Sequence, residues 1–305
     1  MKNIDSDLLL DIYFRKLLEA VAVLPPQYAY KILPFTGHLF RDFQSYACGY
    51  DPGVLISAAG SMKDAQVSTS RNMVDSMNEY LRFESRYVLE NIWIRKECKR
   101  HVLGSFYRSD IQALKTFMRE QNYVVVTAHV SGLLSIVELL RIIGYPTPLI
   151  ASNIFNQVWE NAKPIQKSMY LLYKSWIKRQ PLFFSDDKNL MDKCCQTLSS
   201  GKSVILAADV PGYDEKGVKV PMFGKKIWVP PGSAKLSYNC GIPILVAIPW
   251  TDTCDKPYRI LFERISVNKN YSEVMGKIYH CIETVVKLNP ANWNGWLYFD
   301  KMVAE

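Results

Sequence analysis

The sequence predicts an α/β protein with a mainly parallel central sheet covered by helices on both faces, preceded by an amphipathic helical region at the N-terminus. Three observations predict it. Short, strongly apolar runs between residues 124 and 249 have the length and composition of strands buried on both sides. Helical patterns fill most of the gaps between them, the alternation that produces parallel crossovers. Apolar residues make up 49% of the 305 and charged residues 22%, which supplies a large core and argues against disorder.

Residues 1–43 form the first expected unit, an amphipathic, membrane-proximal helical region, and residues 44–305 the α/β domain. From Leu8 to Leu24 the apolar Leu9, Ile12, Tyr13, Leu17, Ala20, Val21 and Leu24 recur at helical spacing, with Asp11, Arg15 and Glu19 four apart on the other side. Pro25 and Pro26 stop that helix. Tyr28 to Phe43 follows, with Tyr30, Phe35, Phe40 and Phe43 among Lys31 and Arg41, a mixture suited to a membrane interface. Helices packed on a core of their own give the same pattern.

Asn72 to Cys98 reads as a long helix, and Asp110 as the N-cap of another that runs to about Gln121. Val124 to Ala128, Thr147 to Ala151, Leu182 to Ser185, Ser203 to Ala208 and Ile244 to Pro249 read as strands, and Arg259 to Ile265 as a further one at an edge. A helix over Ser272 to Leu288 and a tail from Asn289 close the chain. The longest uncharged stretch, Leu236 to Thr251, is too short for a standard membrane span and is broken by Gly241, Pro243 and Pro249. The N-terminus lacks the apolar core and small-residue cleavage site of an export signal, so a cytoplasmic location is expected.

Lys and Arg total 37 against 29 Asp and Glu, a formal charge of +8 that favours anionic partners. An anionic membrane surface or an acidic carrier protein fits. Nucleic acid is not expected, since zinc-finger spacing, a basic-region helix and an RNP-like aromatic strand are all missing. The seven cysteines lack C-x-x-C spacing and a matching His cluster, so they read as reduced thiols, with no disulfide framework and no metal site.

Open α/β sheets bind ligands just beyond the carboxyl ends of their strands. Two apolar strands end in groups that carry chemistry: Val124-Val125-Val126-Thr127-Ala128 delivers His129, and Val204-Ile205-Leu206-Ala207-Ala208 delivers Asp209. An imidazole placed there can take a proton from a hydroxyl or amine near neutral pH, and the helix that opens after Ser131 and Gly132 offers N–H groups to developing negative charge. His38, His101 and His280 fall within helical patterns or their flanks and read as packing or surface residues. Lys225 follows the Phe223-Gly224 turn, beside Lys226, where it suits a phosphate. Arg179 ends a helical pattern with Lys178 before the Leu182 strand, placed either for an anionic acceptor or to cap that helix. Gly232 completes the residues assigned to substrate, in the Pro230 to Gly232 turn before a helix.

The run Thr127-Ala128-His129 with Ser131 and Gly132 is followed by Asp209, then Gly217-Val218-Lys219-Val220-Pro221-Met222-Phe223-Gly224, Pro231-Gly232-Ser233-Ala234-Lys235-Leu236, Gly241-Ile242-Pro243-Ile244, and Pro290-Ala291-Asn292-Trp293 with Trp296. In that order the set resembles the bacterial lipid A biosynthesis acyltransferases, within the wider lysophospholipid acyltransferase-like group. The resemblance implies transfer of a fatty acyl group from acyl carrier protein or coenzyme A to a hydroxyl of a glycolipid at the cytoplasmic face of a membrane; a hydroxyl or amine of a specialised metabolite is the other acceptor expected here. His129 would deprotonate the acceptor for direct attack on the thioester, with no acyl-enzyme, metal or other cofactor.

One departure stands out. The family's motif is His, four residues, then Asp or Glu, and this chain has Leu134 at the acid position. Glu138 is the next acid, about 6 Å farther along a helix starting near Ser131 at ~1.5 Å per residue. Asp209 is the better partner by topology and resembles a carboxylate that the family keeps. A catalytically degenerate relative that binds acyl chains or a carrier protein is the alternative, and thioester hydrolysis a third reading.

Overall fold

The computed structural model describes residues 16–32, 60–62, 73–151, 179, 181–212 and 217–304. Most of the amphipathic region read from the sequence, with Phe35, His38, Phe40 and Phe43, lies outside these residues, as does Lys178. The numbered helices are α1 (Leu18–Val21), α2 (Met73–Arg95), α3 (Lys99–Gly104), α4 (Arg108–Glu120), α5 (Leu133–Ile142), α6 (Leu190–Ser199), α7 (Gly232–Cys240) and α8 (Tyr271–Leu288). The strands are β1 (Val124–Thr127), β2 (Leu149–Ala151), β3 (Leu182–Phe184), β4 (Val204–Ala207), β5 (Val218–Met222), β6 (Lys225–Val229), β7 (Ile244–Trp250) and β8 (Arg259–Ile265).

Six strands form one sheet in the order β3-β2-β4-β1-β7-β8, parallel throughout except for β7 against β8 at the edge. The α/β class, the mainly parallel sheet and the edge position of β8 agree with the sequence. Strand geometry divides the core in two, because successive side chains point to opposite faces. Val124 and Val126 of β1, with Ile244, Val246 and Ile248 of β7, pack on one face against α6, α7, α8 and the closing tryptophans. Val125, Ile205, Leu245 and Ala247 pack on the other face against α3, α4 and α5.

The N-terminal segment has its own small core. Leu18, Val21, Ala29 and Tyr30 pack on Val88, Leu89, Ile92 and Trp93 of α2, and the Trp93 indole donates to the Ala22 carbonyl at 2.9 Å. The break at Pro25 and Pro26 falls where the sequence put it: helix stops after residue 21 and resumes over 26–32, with Pro26 at a first-turn position that needs no N–H. Among the described residues no helix is long and apolar enough to cross a membrane.

Two readings need correction. Asp110 does not cap α4; Tyr107 occupies the N-cap, and the Asp110 carboxylate instead accepts the Ile260 N–H at 3.0 Å, tying α4 to β8. Cys195 and Cys240, read as reduced thiols, form a disulfide between α6 and α7 with Cα atoms 5.6 Å apart. Their separation of 45 residues gave no local spacing signal, and only the fold brings them together. Lys225 and Lys226 follow the Phe223-Gly224 turn, as read from the sequence, and open β6, which pairs antiparallel with β5 in a separate two-stranded hairpin. Its two-residue loop, Phe223 and Gly224, has φ of 51° and 73°, the positive pair that a tight hairpin requires.

Candidate active site

The site follows from strand register. β1 and β4 lie side by side in parallel with Thr127 opposite Ala207, so His129 and Asp209 emerge at the same level, each two residues past its strand. The Asp209 side chain is completely buried and that of His129 is 36% exposed. Asp209 Oδ1 meets the imidazole Nδ1 at 2.9 Å, and both carboxylate oxygens accept the His129 backbone N–H, at 2.9 and 2.8 Å. With Nδ1–H donating to the carboxylate, Nε2 carries the lone pair, and among the described residues it has no hydrogen-bond partner.

The chain's closing segment completes this arrangement. The Trp293 indole N–H donates to Asp209 Oδ2 at 2.7 Å. Asn294 N–H donates to the His129 carbonyl at 2.8 Å, Val130 bridges Trp293 in antiparallel sense, and Ser131 N–H donates to Asn292 Oδ1 at 3.1 Å. Residues 129–131 and 292–294 thus form a short two-stranded strip that carries both groups touching the carboxylate. Gly295 makes room for it, since a Cβ there would lie 2.0 Å from the Trp293 ring. Tyr298 OH donates to the Asp209 carbonyl at 2.7 Å and stands 3.3 Å from Nδ1. Tyr298 and the role of Trp293 were not assigned from the sequence; the Pro-x-x-Trp run was the one available signal, and it carried no contact information.

Burial opposes charge on both members of the pair, yet each favours the charged form of the other. Attraction to Asp209 and the hydrogen bond to it raise the His129 pKa above the ordinary imidazole value. Against its own burial, Asp209 is held below the usual carboxylate range by His129, by Trp293 and by the His129 backbone N–H. A raised histidine contributes stability fully below its unfolded value of about 6.5, lost as pH rises through the folded value; a lowered aspartate contributes above about 3.9, lost as pH falls through its folded value. The difference in unfolding free energy between the protein and His129→Ala is therefore expected to be widest between about pH 4 and 6.5. Urea unfolding at pH 5, 7 and 9 checks this, and a gap that does not narrow at high pH would exclude the ion pair.

Nδ1 is met by Asp209 rather than Glu138, whose carboxylate hydrogen-bonds Arg141 one turn along α5. Ser131 is buried: its hydroxyl donates to Asn292 Oδ1 at 2.6 Å and lies 2.7 Å from Tyr258 OH. Gly132 is a close-approach position, because a Cβ would stand 2.6 Å from Pro249 Cβ and 3.2 Å from the Tyr258 ring. Gly132→Ala is expected to cost about 1–3 kcal/mol of stability by overpacking, read as a fall in melting temperature in a thermal scan. Arg179 binds Glu97 at 2.8 Å and the Arg95 carbonyl at 2.9 Å, so it caps the negative end of α2. Lys225 Nζ lies 5.9 Å from the centre of the Phe299 ring, and Gly232 opens α7 with free space around it. Among the described residues no group of three or more His, Cys, Asp and Glu is placed to hold a metal ion.

The structure brings together His129 and Asp209, which the sequence paired by topology, and sets the Pro-x-x-Trp segment against the carboxylate. Residues 165–298 match the family model of the bacterial lipid A biosynthesis acyltransferase. The match supports the family recognised from the motifs, and with it an acyltransferase. It takes in Asp209, the β5-β6 hairpin, α7, Trp293 and Tyr298, and begins after the His129 strip and α5. No individually curated protein matches the chain.

Proposed function

We propose that the protein transfers a fatty acyl group from an acyl carrier protein or acyl-CoA thioester to a hydroxyl or amine of a glycolipid or specialised metabolite, with His129 as general base. The observation that carries this reading is the His129 ring, fixed at Nδ1 by a buried carboxylate and unengaged at Nε2. In the step, Nε2 takes the acceptor's proton as its oxygen or nitrogen attacks the thioester carbonyl. Collapse of the tetrahedral intermediate breaks the C–S bond, and the departing thiolate takes the proton back from the imidazolium. Asp209 does not touch substrate; it sets the tautomer and steadies the imidazolium, as the third group of a triad does. The positive end of α5 follows the strip directly and favours charge developing on the carbonyl oxygen.

The family match supports acyl transfer, the net charge of +8 supports an acidic carrier protein or the anionic inner face of the cell membrane, and Val23 and Tyr28, 74% and 54% exposed beside Lys31, support peripheral attachment there. A second reading, acyl binding without turnover, is favoured by Leu134 at the position of the family's acid. Purified protein incubated with acyl carrier protein or CoA thioesters and candidate acceptors distinguishes them. Acylated acceptor, absent with His129→Ala, supports transfer; bound but unconsumed thioester supports the degenerate relative, and free fatty acid as the sole product supports hydrolysis.

A further inference from the structure

A chain of buried polar groups runs from the His129 strip to the far side of α2, and nothing in the proposed reaction uses it. Ser131, two residues after His129, is fastened to Asn292 by both its N–H and its hydroxyl. Tyr258 OH stands 2.7 Å from that hydroxyl and 3.3 Å from Glu90 Oε2. Glu90 is itself saturated: Oε1 accepts from Tyr30 OH and Arg86 Nε, both at 2.7 Å, and Oε2 from Ser135 of α5 at 2.6 Å. The Arg86 guanidinium lies over the Tyr258 ring at 3.7 Å and donates to the Cys254 and Lys256 carbonyls at 3.1 and 2.6 Å. Arg86, Glu90, Ser131, Tyr258 and Asn292 are all buried.

An assembly of this kind is costly to desolvate, and its members gain little unless every one is held. Tyr258 is also pinned through its backbone, donating to the Ser105 carbonyl at 2.7 Å and accepting from Tyr107 N–H at 3.1 Å. Its hydroxyl is therefore a fixed point against which Ser131 is set. Ser131 sets Asn292, and Asn292 precedes Trp293, which holds Asp209. The segments carrying the imidazole and the indole are both referred to one phenol.

We propose that Tyr258 is a positioning residue for the His129–Asp209 pair, acting through Ser131 and Asn292. The kinetic part of the proposal rests on His129 being the base; the geometric part does not. Tyr258→Phe keeps the ring under Arg86 and removes only the hydroxyl, and Ser131→Ala removes the next link without touching the ring stack. In both full-length variants kcat is expected to fall about tenfold, the effect of one misplaced hydrogen bond, with KM within about twofold. His129 is also expected to titrate at lower pH, followed by NMR of ring-labelled histidine and assigned through His129→Ala.

A merely structural tyrosine would lower the melting temperature and leave that titration where it is. Unchanged His129 titration in the folded variants overturns the proposal whatever the kinetics show. If Tyr258→Phe does not fold, Ser131→Ala carries the same measurement. Should the parent show no transfer at all, the function proposed above fails, while the titration still decides whether Tyr258 positions the ring.

Discussion

His129→Ala is expected to lower acyl transfer by about 10²- to 10⁴-fold, the range spanned by positioned general bases, with little change in KM for the thioester. The substitution removes the proposed proton acceptor and leaves the rest of the site in place. Asp209 keeps both bonds from the backbone N–H of residue 129 and the bond from Trp293, and the strip keeps Asn294 N–H on the carbonyl of residue 129. Far-UV circular dichroism close to that of the parent would show that the loss is chemical. Activity should also rise with pH through the raised His129 pKa, since only the neutral ring accepts a proton. Turnover by His129→Ala within a few fold of the parent would remove the imidazole from the mechanism.

The second large effect is expected at Asp209. Asp209→Asn preserves shape but places an amide where three donors converge. Turned so that its oxygen serves the backbone N–H and the indole, the amide presents NH₂ to Nδ1, which must then accept, so the ring's proton moves to Nε2 and the base is lost. In serine-protease triads the corresponding change costs about 10⁴ in turnover, and a fall of about 10²- to 10⁴-fold is expected here. The residual activity should have its pH midpoint shifted downward, because burial still disfavours the imidazolium while the charge that offset it is gone. Steady-state rates from pH 5 to 9 read both effects, and a variant retaining a tenth of the parent's rate would rule out this role for Asp209.

The sheet was legible because burial on both faces writes itself as uninterrupted Val, Ile and Leu, and β1, β4 and β7 are such runs. The pair at the site was legible for the same reason: His129 and Asp209 are the polar groups on which two of those runs end. Ser131 shows where sequence stops informing. Two residues after His129 and next to Gly132, it gives no sign that its hydroxyl is engaged by Tyr258 and Asn292, 127 and 161 residues away. The hairpin escaped as two strands because Pro221 interrupts one and Phe223-Gly224 is an unusual pair for so tight a loop. Asp110 looked like a cap because local rules favour it there; a tertiary bond to Ile260 N–H won instead. Cys195 and Cys240 escaped for want of any local spacing.

The Trp293 indole lies across the backbone of Gly295, where a methyl group would fall inside its ring. Any side chain at position 295 would tilt the indole away and strip a hydrogen bond from a carboxylate that water does not reach. The fidelity of the acid–base pair is thereby entrusted to an atom that is missing, so a chain carrying alanine there would keep every reactive group named above and still lose their alignment.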